Sequence, residues 1–79
     1  MIHILLNGEP HDLPGPLTVR DLLDRLEIDP RVVAVELDRA VVKRARYADA
    51  TIGDGAEVEI VAFVGGGTRA REPSPGRGA

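Results

Sequence analysis

The sequence contains no cysteine and no tryptophan, and a single tyrosine and a single phenylalanine are its only aromatic side chains besides two histidines in 79 residues. Without cysteine the chain itself carries no disulfide framework, no thiolate zinc site and no thiol nucleophile. No apolar run approaches the ~18 residues that cross a bilayer, and the N-terminus lacks a basic segment followed by an apolar stretch. These absences predict a soluble, cytoplasmic protein with no membrane role. A positive surplus is lacking too: 13 acidic against 10 basic side chains leave a formal net charge of −3. A nucleic-acid partner calls for a basic face that displaces counterions from phosphate, so nucleic acid is not an expected partner.

The charge that is present is unevenly spread. Residues 1–67 hold seven basic and twelve acidic side chains, a net of −5, whereas residues 68–79 hold three Arg and one Glu, a net of +2. That last stretch has no large apolar residue, and it cannot bury enough surface to offset the ~1–2 kcal/mol per residue that backbone ordering costs. It is expected to be a disordered C-terminal extension. Residues 1–67 then make one domain, near the lower limit for a single core without metal or disulfide.

Strand and helix signals alternate along that domain. Ile2, Ile4 and Leu6 alternate with His3 and Leu5, and Asn7-Gly8 follows, a pair suited to the positive φ angles of a type I′ hairpin turn. The returning strand, Glu9 to Leu13, contains Pro10, which has no N–H for a ladder and so belongs at a sheet edge. After Pro14-Gly15-Pro16, the residues Val19, Leu22, Leu23 and Leu26 fall at i, i+3, i+4 and i+7, one apolar stripe of a helix. Thr18 is its expected N-cap, answered by Asp21, with Leu17 and Leu22 as a hydrophobic staple. The helix should end near Glu27, before Pro30. Val33, Val35 and Leu37 start a second hairpin that turns at Asp38-Arg39 and resumes at Val41-Val42. Residues 43–52 show no clean period and read as an irregular connection with one short helical turn. Asp54-Gly55 then turns the chain into a last strand, Ala56 to Val64, with Val58, Ile60 and Ala62 on one face and Glu57, Glu59, Val61 and Phe63 on the other. This order predicts an α+β domain with a mixed sheet of four to five strands packed on one main helix, around a core of Ile4, Val19, Leu22, Leu26, Val35, Val58 and Ile60.

Few residues offer chemistry of their own. His3 and His11 sit on different strands with no third ligand at a recognisable spacing, so they read as ordinary sheet positions and no metal site is expected. Lys43, Arg44 and Arg46 read as a solvated connection, with phosphate or acidic-partner binding the alternative. Glu36, Asp38, Glu57 and Glu59 form no acid–base pair and read as solubilising charges. No catalytic residue emerges. Val61 and Phe63 are different: alternation directs them away from the helix, and two apolar side chains on the uncovered face of a one-layer sheet suit partner docking. The alternative is that Phe63 packs locally over the sheet edge. Gly65-Gly66-Gly67 admits a flexible joint between domain and extension. A phosphate-cradling loop is excluded, because no Lys-Ser/Thr pair and no helix follow the glycines.

Taken together, Ile4-Leu5-Leu6-Asn7-Gly8-Glu9, the Leu17-Thr18-Val19 entry to a helix with Leu22-Leu23, Val33 to Leu37, Asp54 to Val61 and the ending Phe63-Val64-Gly65-Gly66-Gly67 resemble the ThiS family, the sulfur carriers of thiamine (thiazole) biosynthesis. The resemblance covers residues 1–67 and implies a ubiquitin-like β-grasp fold. It implies a carrier and not an enzyme. Gly67 would bear the carboxylate that is adenylated and converted to a thiocarboxylate, and Gly65 and Gly66 would form the slim arm that reaches into a partner, since glycine has no Cβ to obstruct a narrow channel. The implied partners are a ThiF-like adenylating enzyme, which would use ATP and magnesium, a ThiG-like thiazole synthase and a persulfide enzyme that supplies sulfur. The chain would hold no cofactor itself. One feature departs from the family pattern: family members end at Gly-Gly, and this chain continues for twelve residues past Gly67. A processing protease that cuts there is therefore a further implied partner. Two other readings stand beside this one: a β-grasp binding module whose glycines are a linker, and a carrier of the kind found as the small subunit of molybdopterin synthase.

Overall fold

The computed structural model describes residues 1–64 and 68–69. Strands β1 (Ile2–Leu6) and β2 (Glu9–Leu13) form an antiparallel hairpin. Its corner is Asn7 (φ 52°) and Gly8 (φ 83°), both in the positive-φ region that a type I′ turn requires. A two-residue strand β3 (Leu17–Thr18) leads into helix α1 (Val19–Arg25). Thr18 Oγ1 accepts a hydrogen bond from the Asp21 backbone N–H at 3.0 Å, and Asp21 Oδ2 accepts one from the Thr18 N–H at 3.3 Å. That is the capping box that the sequence predicts. The helix closes on Glu27 at φ 60°, whose N–H donates to the Asp24 carbonyl at 3.0 Å while Ile28 N–H donates to the Leu23 carbonyl at 2.9 Å. The two bonds make a Schellman ending built on a residue with a Cβ where glycine is the usual choice.

Strands β4 (Val33–Leu37) and β5 (Ala40–Val42) form the second hairpin, turning at Asp38 (φ 52°) and Arg39 (φ 71°). The chain then passes through a 3₁₀ turn at Arg44–Arg46 and strand β6 (Thr51–Ile52) to reach β7 (Glu57–Val64). The main sheet has the order β2-β1-β7-β4-β5, with β1 and β7 parallel and the other neighbours antiparallel. One mixed sheet of five strands on one helix is the expected β-grasp arrangement. β2 lies at the edge, where the missing N–H of Pro10 costs no ladder bond. Beyond the main path, strand β8 (Thr68–Arg69) pairs antiparallel with the end of β7; the rest of the stretch 68–79 that is expected to be disordered lies outside the described residues.

The connection over 43–52 is more ordered than its sequence suggests. β6 pairs with β3, Leu17 opposite Ile52 and Thr18 opposite Thr51. Two backbone bonds tie the connection to the first turn of α1, from Val19 N–H to the Ala50 carbonyl and from Arg20 N–H to the Tyr47 carbonyl, both 2.9 Å. A two-residue ladder is too short to leave an alternation in sequence, which is why it escapes detection.

Of the expected core, Ile4, Val19, Leu22, Val35 and Val58 are buried, while Leu26 and Ile60 are only partly so and pack at its margin. The core also takes in Leu13, Leu23, Tyr47 and Ile52, all with almost no exposed surface. Tyr47 buries its ring beneath the connection, its hydroxyl 3.5 Å from the Val33 carbonyl oxygen, and that burial pushes its phenol pKa upward. In a domain this small, one aromatic is a large share of the core. We expect Tyr47→Ala to destabilise by about 3 kcal/mol or more and Tyr47→Phe by no more than about 1 kcal/mol, measured by urea unfolding. Near-equal losses from the two substitutions would show that the hydroxyl, and not the ring, holds the connection in place.

Candidate functional site

β7, last to be made among the strands of the main sheet, lies in its middle. Its start is fastened to both neighbours. On one side the Leu5 N–H donates to the Ala56 carbonyl at 2.9 Å and the Asn7 N–H to the Val58 carbonyl at 2.8 Å. On the other, the Asp38 N–H donates to the Glu57 carbonyl at 2.7 Å, and Asp38 Oδ1 accepts from the Glu57 N–H at 2.9 Å. Where β1 turns away, Asn7 Oδ1 stands in for the missing strand and accepts the Ile60 N–H at 2.8 Å. Asp54 does the same for β1, its Oδ1 accepting from the His3 N–H at 2.8 Å. Turn residues chosen for their backbone conformation thus also hold the strands beside them, so Asp38 is a structural acceptor and more than a solubilising charge.

Beyond this anchored stretch β7 outruns its neighbours. Pairing with β1 reaches Val58 and pairing with β4 reaches Ala62, which leaves Phe63 and Val64 at the exit of the sheet. Gly65, Gly66 and Gly67, the expected arm and carboxylate-bearing residue, come next in the chain and lie outside the described residues.

The face of the sheet turned away from α1 carries the candidate docking surface. Val61 is on it, as alternation predicts, directly across from Ala34 of β4. Phe63 is on it at the exit, opposite Arg69 of β8. Both are half-buried and not fully exposed as the alternation suggested. Sequence reasoning missed two other apolar members of the face. Leu5 is 41% exposed and Val41 71% exposed. The register places Val41 across from Glu36, and Glu36 in turn across from Glu59. The signal was present: the two-residue turn at Asp38-Arg39 fixes that register, and strict alternation in β1 puts Leu5 opposite in direction to Ile4.

The polar candidates divide. Glu57 lies 3.4 Å from Arg39 Nε, while among the described residues neither Glu36 nor Glu59 has a basic side chain within ion-pair distance. His3 pairs across the β1–β2 hairpin with Asp12, and His11 pairs with Ile4, so the two histidines point to opposite faces and cannot converge on one ion. Among the described residues no group of three metal-ligating side chains occurs. Lys43, Arg44 and Arg46 are exposed on the 3₁₀ turn, and Arg44 donates through Nη2 to the Arg31 carbonyl at 3.3 Å.

A small sheet with an uncovered apolar strip and a glycine run leaving its central strand has counterparts among known proteins. The sequence model of the ThiS family matches residues 4–67. The chain is 34% identical to the sulfur carrier protein ThiS of Thermus thermophilus over 64 residues, 81% of this chain and 98% of that protein. The crystal structure of a thiamine biosynthesis protein (ThiS) from Geobacter metallireducens superposes with a TM-score of 0.75 at 35% identity, covering 84% of this chain and all of the other. The chain belongs to the ThiS family. The relatives matched over nearly their whole length include a sulfur carrier. The chain is also 42% identical over 65 residues to the thiazole synthase of Paramagnetospirillum magneticum, although it spans only 20% of that protein's length. The family match ends on Gly67, the residue before the extension.

Two exposed side chains of this ThiS-family chain, Asp29 and His3, carry a pH dependence. Hydrogen bonding from the Arg31 side chain and backbone holds Asp29 down to about 2. Its contribution to stability is present above the ordinary carboxylate range and fades as the pH falls through about 2. His3 Nδ1 lies 2.7 Å from Asp12 Oδ1, and that hydrogen bond raises its pKa above the usual 6.5. The His3 contribution therefore has the opposite sign: it is full below 6.5 and is lost as the pH rises through the folded-state value. An NMR titration should give His3 a midpoint above 6.5, and Asp12→Asn should bring it down. A midpoint unmoved by that substitution would show that the Asp12 contact does not form in solution.

Proposed function

We propose that the chain is a sulfur carrier whose Gly67 carboxylate is adenylated by a ThiF-like enzyme in the cytoplasm, converted to a thiocarboxylate with sulfur from a persulfide enzyme, and used by a ThiG-like synthase to form the thiazole of thiamine. The observation that carries this reading is the family match running through Phe63-Val64-Gly65-Gly66-Gly67 to its end at the third glycine, on a strand anchored in the middle of the sheet. The likeness to a thiazole synthase of Paramagnetospirillum magneticum supports the last partner. ATP and magnesium belong to the adenylating enzyme. This chain contributes the nucleophile, the arm that presents it and the surface by which it is recognised.

In the full chain the Gly67 carboxyl group is an amide to Thr68, and an amide carbonyl is too weak a nucleophile to displace pyrophosphate from ATP. The terminal carboxylate of Ala79 is no substitute, because Arg69, Arg71 and Arg77 and the stiff Pro73 and Pro75 would have to thread a channel suited to glycine. A protease that cuts after Gly67 resolves the difficulty. Mixed with the cognate adenylating enzyme and ATP, a chain ending at Gly67 should release pyrophosphate and the full-length chain should not. No release from the shorter chain would overturn the carrier reading in favour of a glycine linker, and equal release from an untrimmed full-length chain would overturn the processing step.

Val61 and Phe63 serve in this reading as the docking patch for the adenylating enzyme. Phe63→Ala should weaken that association by ~2 kcal/mol, the scale of an interface anchor, with little change in melting temperature because Phe63 is outside the core. Titration calorimetry with the chain ending at Gly67 checks it. Unchanged affinity would remove Phe63 from the interface.

A further inference from the structure

Four of the seven cations of residues 1–67, Arg31, Lys43, Arg44 and Arg46, gather at the end of the sheet from which the chain leaves β7. β7 and β5 both run opposite to β4, so the exit of β7, the close of β5 and the start of β4 share one end: Ala62 is opposite Val33, and Val42 is opposite Val35. A 3₁₀ turn at Pro30–Val32 leads into β4 there, beside β7. Lys43, Arg44 and Arg46 follow β5 directly, two strand spacings or about 10 Å from β7. Arg44 Nη2 reaches back to the Arg31 carbonyl at 3.3 Å, which ties the run to the start of β4. The run is also held from within. The Arg46 N–H donates to the Lys43 carbonyl at 2.8 Å, the Tyr47 N–H donates to the Arg44 carbonyl at 3.1 Å, and Tyr47 itself is buried in the core.

Arg31 is already neutralised, its Nη2 2.8 Å from Asp29 Oδ2 and its Nε 3.1 Å from Asp29 Oδ1. Lys43, Arg44 and Arg46 are exposed, and no carboxylate of the described residues lies within ion-pair distance of any of them. Three like charges on one fixed turn repel one another, and an anionic surface brought against them relieves that cost. The far end of the sheet has the reverse sign. Asp12 and Asp54 flank His3 there, and Asp38 and Glu57 lie together with Arg39 as their neighbouring cation. The domain is −5 in total, yet it is positive where the chain leaves the sheet. A nucleic acid does not suit this distribution, because a polyanion that extends past the run meets the acidic remainder of the domain. A carboxylate-bearing protein surface suits it, since only a local match is needed.

We propose that Lys43, Arg44 and Arg46 form a basic rim beside the exit of β7 that seats against carboxylates around the channel mouth of the adenylating enzyme and turns this end of the carrier toward it. The identity of the partner rests on the carrier reading. Val61 and Phe63 lie on the uncovered face, apart from the rim, so the apolar patch supplies affinity while the rim sets orientation and the rate of encounter.

The test follows association with the cognate adenylating enzyme by stopped flow, using chains that end at Gly67. Such a chain keeps β1 to β7 with the whole core, and the Thermus carrier, 98% of which aligns with 64 residues of this chain, is a protein of that size. The wild type is compared with Lys43→Gln/Arg46→Gln and with Arg39→Glu. Both variants are two charges more negative than the wild type, but Arg39 stands in the turn between β4 and β5, at the far end of the sheet. At about 0.02 M salt the rim variant should associate at least about tenfold more slowly than the wild type and Arg39→Glu within about threefold of it, with the gap closing at about 0.5 M salt. Lys43→Arg/Arg46→Lys, which keeps the charges, should keep the wild-type rate, and melting temperatures should agree across the set. No slowing in the rim variant would overturn the proposal. Equal slowing in Arg39→Glu would reduce the effect to net charge and overturn it as well. Slowing that appears only with ATP on the enzyme would set the cations against nucleotide phosphates and overturn their assignment to carboxylates. Pyrophosphate release keeps the two readings apart: release from the wild type with unmoved association rates sinks the rim alone, and no release from any chain sinks the carrier reading and the named partner with it.

Discussion

Burial of one sheet face beneath a seven-residue helix is the constraint on which the rest of the structure depends. Two turns of helix are ~10 Å long and about as wide, whereas five strands at ~4.8 Å spacing span about 19 Å. The helix therefore covers only part of the face, even with Val19, Leu22 and Leu23 fully buried. The remainder falls to the connection between β5 and β7, which lays Tyr47 and Ile52 over the sheet and fastens itself to the helix by the β3–β6 ladder and two backbone bonds. The Schellman ending brings Ile28 back over Leu23 to close the other side. All available cover is used on one side. Among the described residues the opposite face keeps Leu5, Val41, Val61 and Phe63 without a second layer.

Much of this was legible in the sequence because its signals are local. The Asn7-Gly8 and Asp38-Arg39 turns, the capping box at Thr18, the edge position of the Pro10 strand and the last strand all depend on residues within a few positions of one another. What was not legible depends on distant pairings. Nothing near Asn7 says that its side chain accepts from Ile60, and nothing near Tyr47 says that its ring completes a core begun at Ile2. The half-burial of Val61 and Phe63 has the same origin, since alternation gives the face a residue points to but not what stands beside it. Among the site residues the glycines form a separate case. Their composition alone fits a linker as well as an arm, and the arm reading rests on the family to which the domain belongs.

The position of β7 connects the fold to the proposed chemistry. β7 lies between β1 and β4 at its start and is paired with β4 alone from Glu59 to Ala62, so the strand that leads to the glycines is anchored from its beginning and not at its exit. Three residues past Val64 reach at most ~10 Å when extended. The reactive carbon at Gly67 would then be confined to a small volume whose centre is fixed by the docked sheet. A partner that grips the uncovered face defines that volume to within the length of the arm, and glycine lets the last residues settle into whatever path its channel imposes.

In the carrier reading recognition falls on one face of the sheet and stability on the other, which separates the two demands. Residues that a partner would touch contribute little to the core, and the core residues are out of a partner's reach behind the backbone of the sheet. The separation is least complete at the exit of β7, where Phe63 belongs to the candidate docking face, to the end of the central strand and to the pairing with β8. That one position has to answer to a partner, to the arm and to whatever follows Gly67.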